Sequence, residues 1–369
     1  MKEKVINFCK GQPVLLISFV VAILTMFIIP PDKMYLGYCN RAVLIQLFSL
    51  MLAVAGLRSI GIFEKMTAFL LLKAGTVRRL GILLILICYF SSMLVTNDVA
   101  LLTFVPLTLL TYQNIPDEKS RILTIVLETV AANAGSMLTP VGNPQNLYLY
   151  QTYHLTAGTF LKTTLPTGIF SLILLLLLRL LLPDTSCQLT ETKKVTITKK
   201  LAIAYSVLFV VCLLSVFRKI PDIACLVVAI ITAIIFDKKL LLKVDYALLA
   251  TFVCFFVFVG NIARIEAVRQ FFSSILIGRE LWISALLSQV ISNVPAAMML
   301  SGFTENGTAL LLGVNLGALG TLIASLASLI SYQFYRKSEG AQSGRYLLIF
   351  SVINFGMLAI LMSIHLLIS

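Results

Sequence analysis

Charge is scarce in this chain. Asp, Glu, Lys and Arg make up 12% of its 369 residues, while 59% are hydrophobic. Mean hydropathy is +0.99. A soluble domain carries about a quarter charged residues, so water-soluble enzymes are excluded and a polytopic membrane protein is expected. Other absences narrow the class. Alternating segments of the kind that build membrane barrels are missing, which leaves an all-α protein. The only two histidines, His154 and His365, are far apart, so an H-E-x-x-H zinc site cannot exist and a haem bundle is a poor fit. The seven cysteines are scattered without a C-x-x-C pair, which argues against a disulfide framework. No P-loop or G-x-S-x-G occurs, and no nucleophile, base and metal set can be assembled. No enzymatic activity and no resident cofactor are therefore expected.

Basic residues are in excess, with a net charge of +13. On a membrane protein such an excess marks cytoplasmic loops and not a nucleic-acid partner. The first 29 residues have a basic start and an apolar core, lack an A-x-A-like cleavage site and run into Pro30 and Pro31, so they read as a retained span. A spanning helix needs roughly 20 mostly apolar residues. Nine crossings are expected, at 13–29, 42–57, 121–150, 159–182, 201–217, 223–236, 246–260, 308–335 and 346–368. Two further apolar stretches, 80–111 and 281–303, are interrupted by polar residues and read as re-entrant hairpins. This topology puts 21 of the 29 basic residues on the side of the N-terminus and eight on the other. The N-terminus is then cytoplasmic and the C-terminus extracytoplasmic, in the cell membrane.

The chain resembles itself. Residues 92–100 (SMLVTNDVA) align with 288–296 (SQVISNVPA) at an offset of 196, and 133–139 (NAGSMLT) with 315–321 (NLGALGT) at 182. The surroundings of Gly56 and Gly260 align at 204. Each copy runs through two spans, an amphipathic segment (59–77 and 262–278), a hairpin, a broken helix and a final span. The first hairpin enters from the cytoplasm and the second from outside. The expected organisation is a first inverted repeat at 1–183, a cytoplasmic loop and connector helix at 184–222, and a second inverted repeat at 223–369. Inverted repeats with discontinuous helices meeting near the midplane are the architecture of secondary transporters.

The interruptions hold the candidate site. Thr96, Asn97 and Asp98 lie between two apolar half-segments, where an ionised carboxylate is costly unless paired or hydrated. They offer hard oxygens suited to sodium or a proton, and they also suit a helix cap. Ser292 and Asn293 form the partner turn, with Pro295 fitting a first helical turn and no carboxylate. Asn133 and Gly135, then Thr139, Asn143, Gln145 and Asn146, interrupt the crossing at 121–150; Asn315, Gly317 and Thr321 interrupt the second. Freed carbonyls at the end of a half-helix favour a cation, and freed amides at the start of the next an anion. We assign Thr96, Asn97, Asp98, Asn133, Gly135, Ser292, Asn293, Asn315 and Gly317 to a coupling ion, with sodium a candidate. Substrate is assigned to Asn97, Asn293, Thr139, Asn143, Gln145, Asn146 and Thr321. Glu128, five residues before Asn133, is either a proton relay or a helix-capping group. No Lys or Arg is expected near either turn, so an anion would be held by helix N-termini, amides, hydroxyls and bound cations.

These residues resemble a family. The stretch from Thr96 to Asp98 with Pro106 beyond it, and Ser292 to Pro295, look like the two hairpins of the ion transporter superfamily. That superfamily holds arsenite permeases, citrate and other divalent-anion carriers, and sodium/proton antiporters. Residues 142–146 (GNPQN) resemble a Gly-Thr-Pro-Pro-Asn stretch that helps bind substrate in the divalent-anion/sodium symporters. The likeness runs from about Ala42 to the end of the chain. The symporters carry Ser-Asn-Thr at both tips, Asn143 stands for their threonine, and Ala324 to Ala327 replaces their second Pro-Pro-Asn element. The resemblance implies an elevator mechanism, in which a transport domain slides against a scaffold that often forms a homodimer. The expected function is secondary transport of a small carboxylate or oxyanion coupled to sodium or protons. A sodium/proton antiporter and an arsenite-type permease or channel are the alternatives.

Overall fold

The computed structural model describes residues 12–63, 65, 75–115, 117–186 and 197–368. Among them the chain is all-helical, apart from one isolated bridge between Thr76 and Ser186. Sixteen helices of nine residues or more lie among the described residues: α1 (Pro13–Ile28), α2 (Arg41–Ser59), α3 (Val77–Ser91), α4 (Asn97–Thr111), α5 (Glu118–Ser136), α6 (Pro144–Thr152), α7 (Ala157–Leu178), α8 (Lys199–Val216), α9 (Asp222–Phe236), α10 (Tyr246–Ile262), α11 (Glu266–Leu276), α12 (Glu280–Ile291), α13 (Asn293–Ser301), α14 (Gly307–Leu316), α15 (Leu326–Arg336) and α16 (Ser343–Ile368). Several begin where sequence chemistry dictates. Asn40, Thr76, Thr96, Asp117, Thr156, Asp245 and Asn306 each accept a hydrogen bond from a backbone N–H of the first turn that follows, satisfying a donor that the helix leaves open.

Among the described residues, four helical segments are long and apolar enough to cross a bilayer unaided: Arg41–Ser59, Ala157–Leu181, Lys199–Val216 and Ser343–Leu367. The expected crossings 121–150 and 308–335 are each two helices. Pro140, Gly142 and Pro144 crowd the first break, and proline both lacks an N–H and starts helices well. The second break, 317–325, has no proline; Gly320 lies within it at φ +111°. The helices of the expected crossings 13–29 and 223–236 have 16 and 15 residues, short for a straight crossing. The crossing at 246–260 ends in a 101° bend into α11, which forms the core of the predicted amphipathic segment 262–278. Its counterpart, 59–77, lies mostly outside the described residues.

The packing is reciprocal. α1 lies against α10 and α2 against α9; α3 lies against α5 and α12 against α14; α4 lies against α15 and α13 against α6. At the centre is α5, with 16 of its 19 residues buried. α7 and α8 instead turn outward stripes of Ile169, Ile173 and Leu177, and of Ile203, Val207 and Val210, as lipid-facing helices do. The far end of α6 is tied to α2 and α8. Gln151 Nε2 donates to Gln46 Oε1 and to the Val216 carbonyl, both at 2.9 Å. Arg218 donates to Gln151 Oε1 at 3.0 Å and to the Tyr150 carbonyl at 2.7 Å.

Candidate functional site

Each hairpin tip meets the break of the broken helix that follows it. The Asn97 N–H donates to the Gly142 carbonyl at 3.1 Å, and the Asn293 N–H to the Ala324 carbonyl at 2.9 Å. The Thr139 hydroxyl donates to the Met93 carbonyl and the Thr321 hydroxyl to the Gln289 carbonyl. Close approach at the two glycines completes the set. A Cβ on Gly135 would stand 2.0 Å from the Tyr89 carbonyl oxygen and 2.6 Å from Ser92 Oγ. One on Gly317 would stand 2.7 Å from Ser288 Cβ and 2.8 Å from Ala285 Cα. All these partners stand at the offsets of 196 and 182 found in the sequence.

The two halves also touch. Asn133 Oδ1 accepts from Asn97 Nδ2 at 2.8 Å and from Ser325 Oγ at 3.1 Å, so one amide oxygen joins the first tip, the first broken helix and the start of α15. Asn315 Nδ2 donates to Asn146 Oδ1 at 2.7 Å. Asn146 spends its own Nδ2 on the carbonyls of Ser136 and Thr139. The structure thus gathers Asn97, Asn133, Asn146, Asn315 and the two breaks into one buried cluster. Gly135 and Gly317 act in it through their missing side chains. The Gly317 carbonyl accepts from Gln289 Nε2 at 2.9 Å.

Ser292 is the sole residue between α12 and α13, and its backbone is at φ +75°, ψ 155°. That region is populated almost wholly by glycine and costs about 1–3 kcal/mol. Its hydroxyl reaches the Ala324 carbonyl at 3.3 Å. The first tip is unstrained, because five residues (92–96) make the turn and Thr96 caps α4.

Beside the first tip is a cavity of 620 Å³, between α2, the tip, the first break and the start of α10. Thr96, Asp98 and Asn143 line it. So do Arg58 and Lys243, which corrects the expectation that no cation is near either turn: both are remote in sequence and brought there by α2 and by the segment before α10. Asp245 adds a second carboxylate to the wall. Several buried polar atoms in and around the cluster have no partner: Asn143 Oδ1, Gln145 Nε2 and Asn315 Oδ1. Such orphans are rare in native proteins and are accounted for when a ligand, ion or water completes them. A further cavity, of 460 Å³, is lined by Tyr38, Tyr148, Phe255, Phe256 and Met298. It contains no charged side chain, and it abuts α10 and α13 as the first abuts α2 and α4.

Gln289 was not singled out in the sequence. Besides its bonds to Gly317 and Thr321, it donates to the Leu319 carbonyl, and its Oε1 accepts the Thr321 N–H at 2.8 Å. It thereby replaces, within the second break, the internal bonds that a helix would have made. The available signal was an amide isolated in the otherwise apolar or serine positions of 281–292. Glu128 does not line the cavity; it is buried among α3, α4 and α5, and its Oε1 accepts from the Thr108 hydroxyl at 2.6 Å.

Paired tip-and-break contacts, a polar cluster at the centre of an apolar helical bundle and a charged cavity beside it define a membrane transporter. The family model for citrate transporters (CitMHS) matches residues 5–308, and the chain belongs to that family. An uncharacterized transporter of Methanocaldococcus jannaschii is 36% identical over 354 residues, covering 94% of this chain and 95% of the relative. The inner membrane protein YbiR of Escherichia coli K12 is 32% identical over 294 residues, 78% of each chain. An uncharacterized transporter of Mycobacterium tuberculosis is 30% identical over 135 residues, 36% of this chain and 31% of the relative. The chain is a transporter and not an enzyme.

Proposed function

We propose that the protein is a secondary active transporter that moves a small carboxylate or oxyanion across the cell membrane, coupled to sodium or protons. The observation that carries this reading is the cavity in which Asp98 and Asn143 face Arg58 and Lys243. An anion entering there gains two cations from the wall and the N-terminus of α6, whose cap residue Asn143 makes no side-chain bond to the first turn. Asp98, Thr96 and the unpartnered oxygens of Asn143 and Asn315 are hard donors for the coupling ion. The family's description as citrate transporters supports a carboxylate.

The matched contacts at Asn97 and Asn293, and the reciprocal packing of α4 on α15 and of α13 on α6, support two inverted repeats. In this reading the hairpins and broken helices slide as an elevator against a scaffold of α1, α2, α9 and α10, the scaffold being a natural dimer surface. The charged cavity faces the cytoplasm with the N-terminus, and the C-terminus is outside, as the basic residues favour. A second reading is cation exchange, with Asp98 and Asp245 as the acids. It is favoured by the presence of two carboxylates on the same wall.

A thermal-shift screen of purified protein against carboxylates and oxyanions, each with and without sodium, tests the anion reading. Citrate, the first probe, is expected to raise the melting temperature. Counterflow of labelled citrate into vesicles preloaded with unlabelled citrate then separates a carrier from a channel. Stabilisation by sodium or protons with no response to any anion would favour the exchanger.

A further inference from the structure

One buried carboxyl has no part in the cavity. Glu128 is 0% exposed. Its Oε1 accepts from Thr108, and its Oε2 has no partner. No cation pairs with it among the described residues. The helices packed on α5 are α3, α4, α7, α15 and α16. Of their titratable groups, the Cys88 thiol and the Tyr346 phenol face the carboxyl. The others are engaged or remote. Tyr89, Tyr112, Arg179 and Tyr335 are hydrogen-bonded to Gly168, Thr124, Leu176 and Glu118. Arg78 pairs with Asp184, Tyr332 packs at a tilt against Tyr346, Asp98 lines the charged cavity, and Lys162 and His365 line a separate one. Arg79, Arg336 and Arg345 are exposed. An ionised carboxylate with one hydrogen bond and no counter-charge at this depth costs several kcal/mol.

Glu128 is also on a polar file that runs the length of α5. Thr124, one turn before it, shares a hydrogen bond of 2.7 Å with the Tyr112 hydroxyl. One turn further are Arg121 and Glu118, paired at 2.6 Å, with the Glu118 side chain 22% exposed. In the other direction Asn133 holds the first hairpin tip. The carboxyl is thus set between a water-facing helix end and the tip. Its hydrogen bond of 2.6 Å comes from Thr108 of α4, the second arm of the hairpin.

We propose that Glu128 binds a proton whose movement is coupled to transport, in a site separate from the substrate cavity and additional to the ion donors on its wall. The carboxylate takes up one proton when α4 is seated on α5, and gives it up when α4 withdraws Thr108 and water reaches Oε2. This rests on the transporter reading.

Infrared difference spectroscopy of the full-length protein in lipid vesicles, titrated with pH and without substrate, reads the acid directly. Wild type is expected to show a carboxylic C=O band at neutral pH that bleaches reversibly as pH is raised, and Glu128→Gln to lack it. Thr108→Val keeps the acid and removes its donor, so the same band should move to higher wavenumber. That variant carries the test if Glu128→Gln does not fold. A band unchanged in Glu128→Gln, unmoved in Thr108→Val, or invariant with pH overturns the proposal. Labelled citrate on the same vesicles gives the coupling readout: Glu128→Gln should keep counterflow and lose accumulation driven by a pH gradient. Retained pH-driven accumulation also overturns the proposal. Absence of citrate counterflow in wild type would instead remove citrate as substrate, with the infrared titration still standing.

Discussion

Asn315 and Asn146 are 169 residues apart in the chain, yet the amide of the first donates to the amide oxygen of the second at 2.7 Å. Both residues are at least 99% buried. This bond joins the end of one broken helix to the start of the other half of its counterpart. Replacing Asn315 by Ala leaves Asn146 Oδ1 without its donor in a dry environment, at a cost of about 1–3 kcal/mol. The expected outcome is a lower melting temperature in detergent together with lost uptake. An unchanged melting curve would show that water replaces the amide without penalty.

Asp98→Asn separates two roles. It keeps the size of the side chain and removes the charge from the cavity wall. If Asp98 takes part in ion coupling, the variant should lose the response of uptake to an imposed sodium or pH gradient while exchange continues. Were Asp98 merely part of a helix start, Asn would serve nearly as well, and accumulation would be normal under both gradients.

Gly135→Ala should abolish folded protein. The added methyl would stand 2.0 Å from a backbone carbonyl oxygen, and α3 and α5 would have to separate along their whole contact. Gly75→Ala, where nothing is within 4 Å, is the control. Yield of monodisperse protein after extraction measures both.

Ser292→Gly should raise thermal stability, by up to about 1–3 kcal/mol, because glycine adopts the φ of +75° without strain. Ser292→Val should lower it. If the serine is kept for its hydroxyl on the Ala324 carbonyl, the glycine variant will be more stable and slower in uptake. A glycine variant less stable than wild type would show that the hydroxyl contributes more than the backbone loses.

Reporters fused at residues 113–116 and 305–307 test the sidedness. The first is expected to read cytoplasmic and the second external, since each hairpin returns to its own side. An external reading at the first position would make 80–111 a crossing.

Much of the fold was legible because membrane helices advertise themselves by length and apolarity, and interruptions by proline, glycine and amides. The tips at Asn97 and Asn293 and the breaks at Gly142 and Gly320 were visible for that reason. Helix ends were less so: the interruption read within 121–150 runs from Asn133 to Asn146, whereas the helices stop only between Ser136 and Pro144. Contacts between remote segments were not legible at all. Arg58 and Lys243 look like ordinary loop-end cations, and nothing local places them at the cavity that holds Asp98. Gln289 shows its value only once Gly317, Leu319 and Thr321 are folded around it.

The crossed packing of α4 on α15 and of α6 on α13 bears on how the molecule is made. Segments enter the bilayer in order of synthesis, so α4 and α6 are inserted long before the helices that cover them exist. Until α15 arrives, Asn133 lacks its contact with Ser325, and until α14 arrives, Asn146 Oδ1 has no donor. The first half must therefore wait in the membrane with polar groups unmatched, and the chain has no stable halfway product. Expressed as two separate polypeptides, the halves should each be degraded alone and rescued by co-expression.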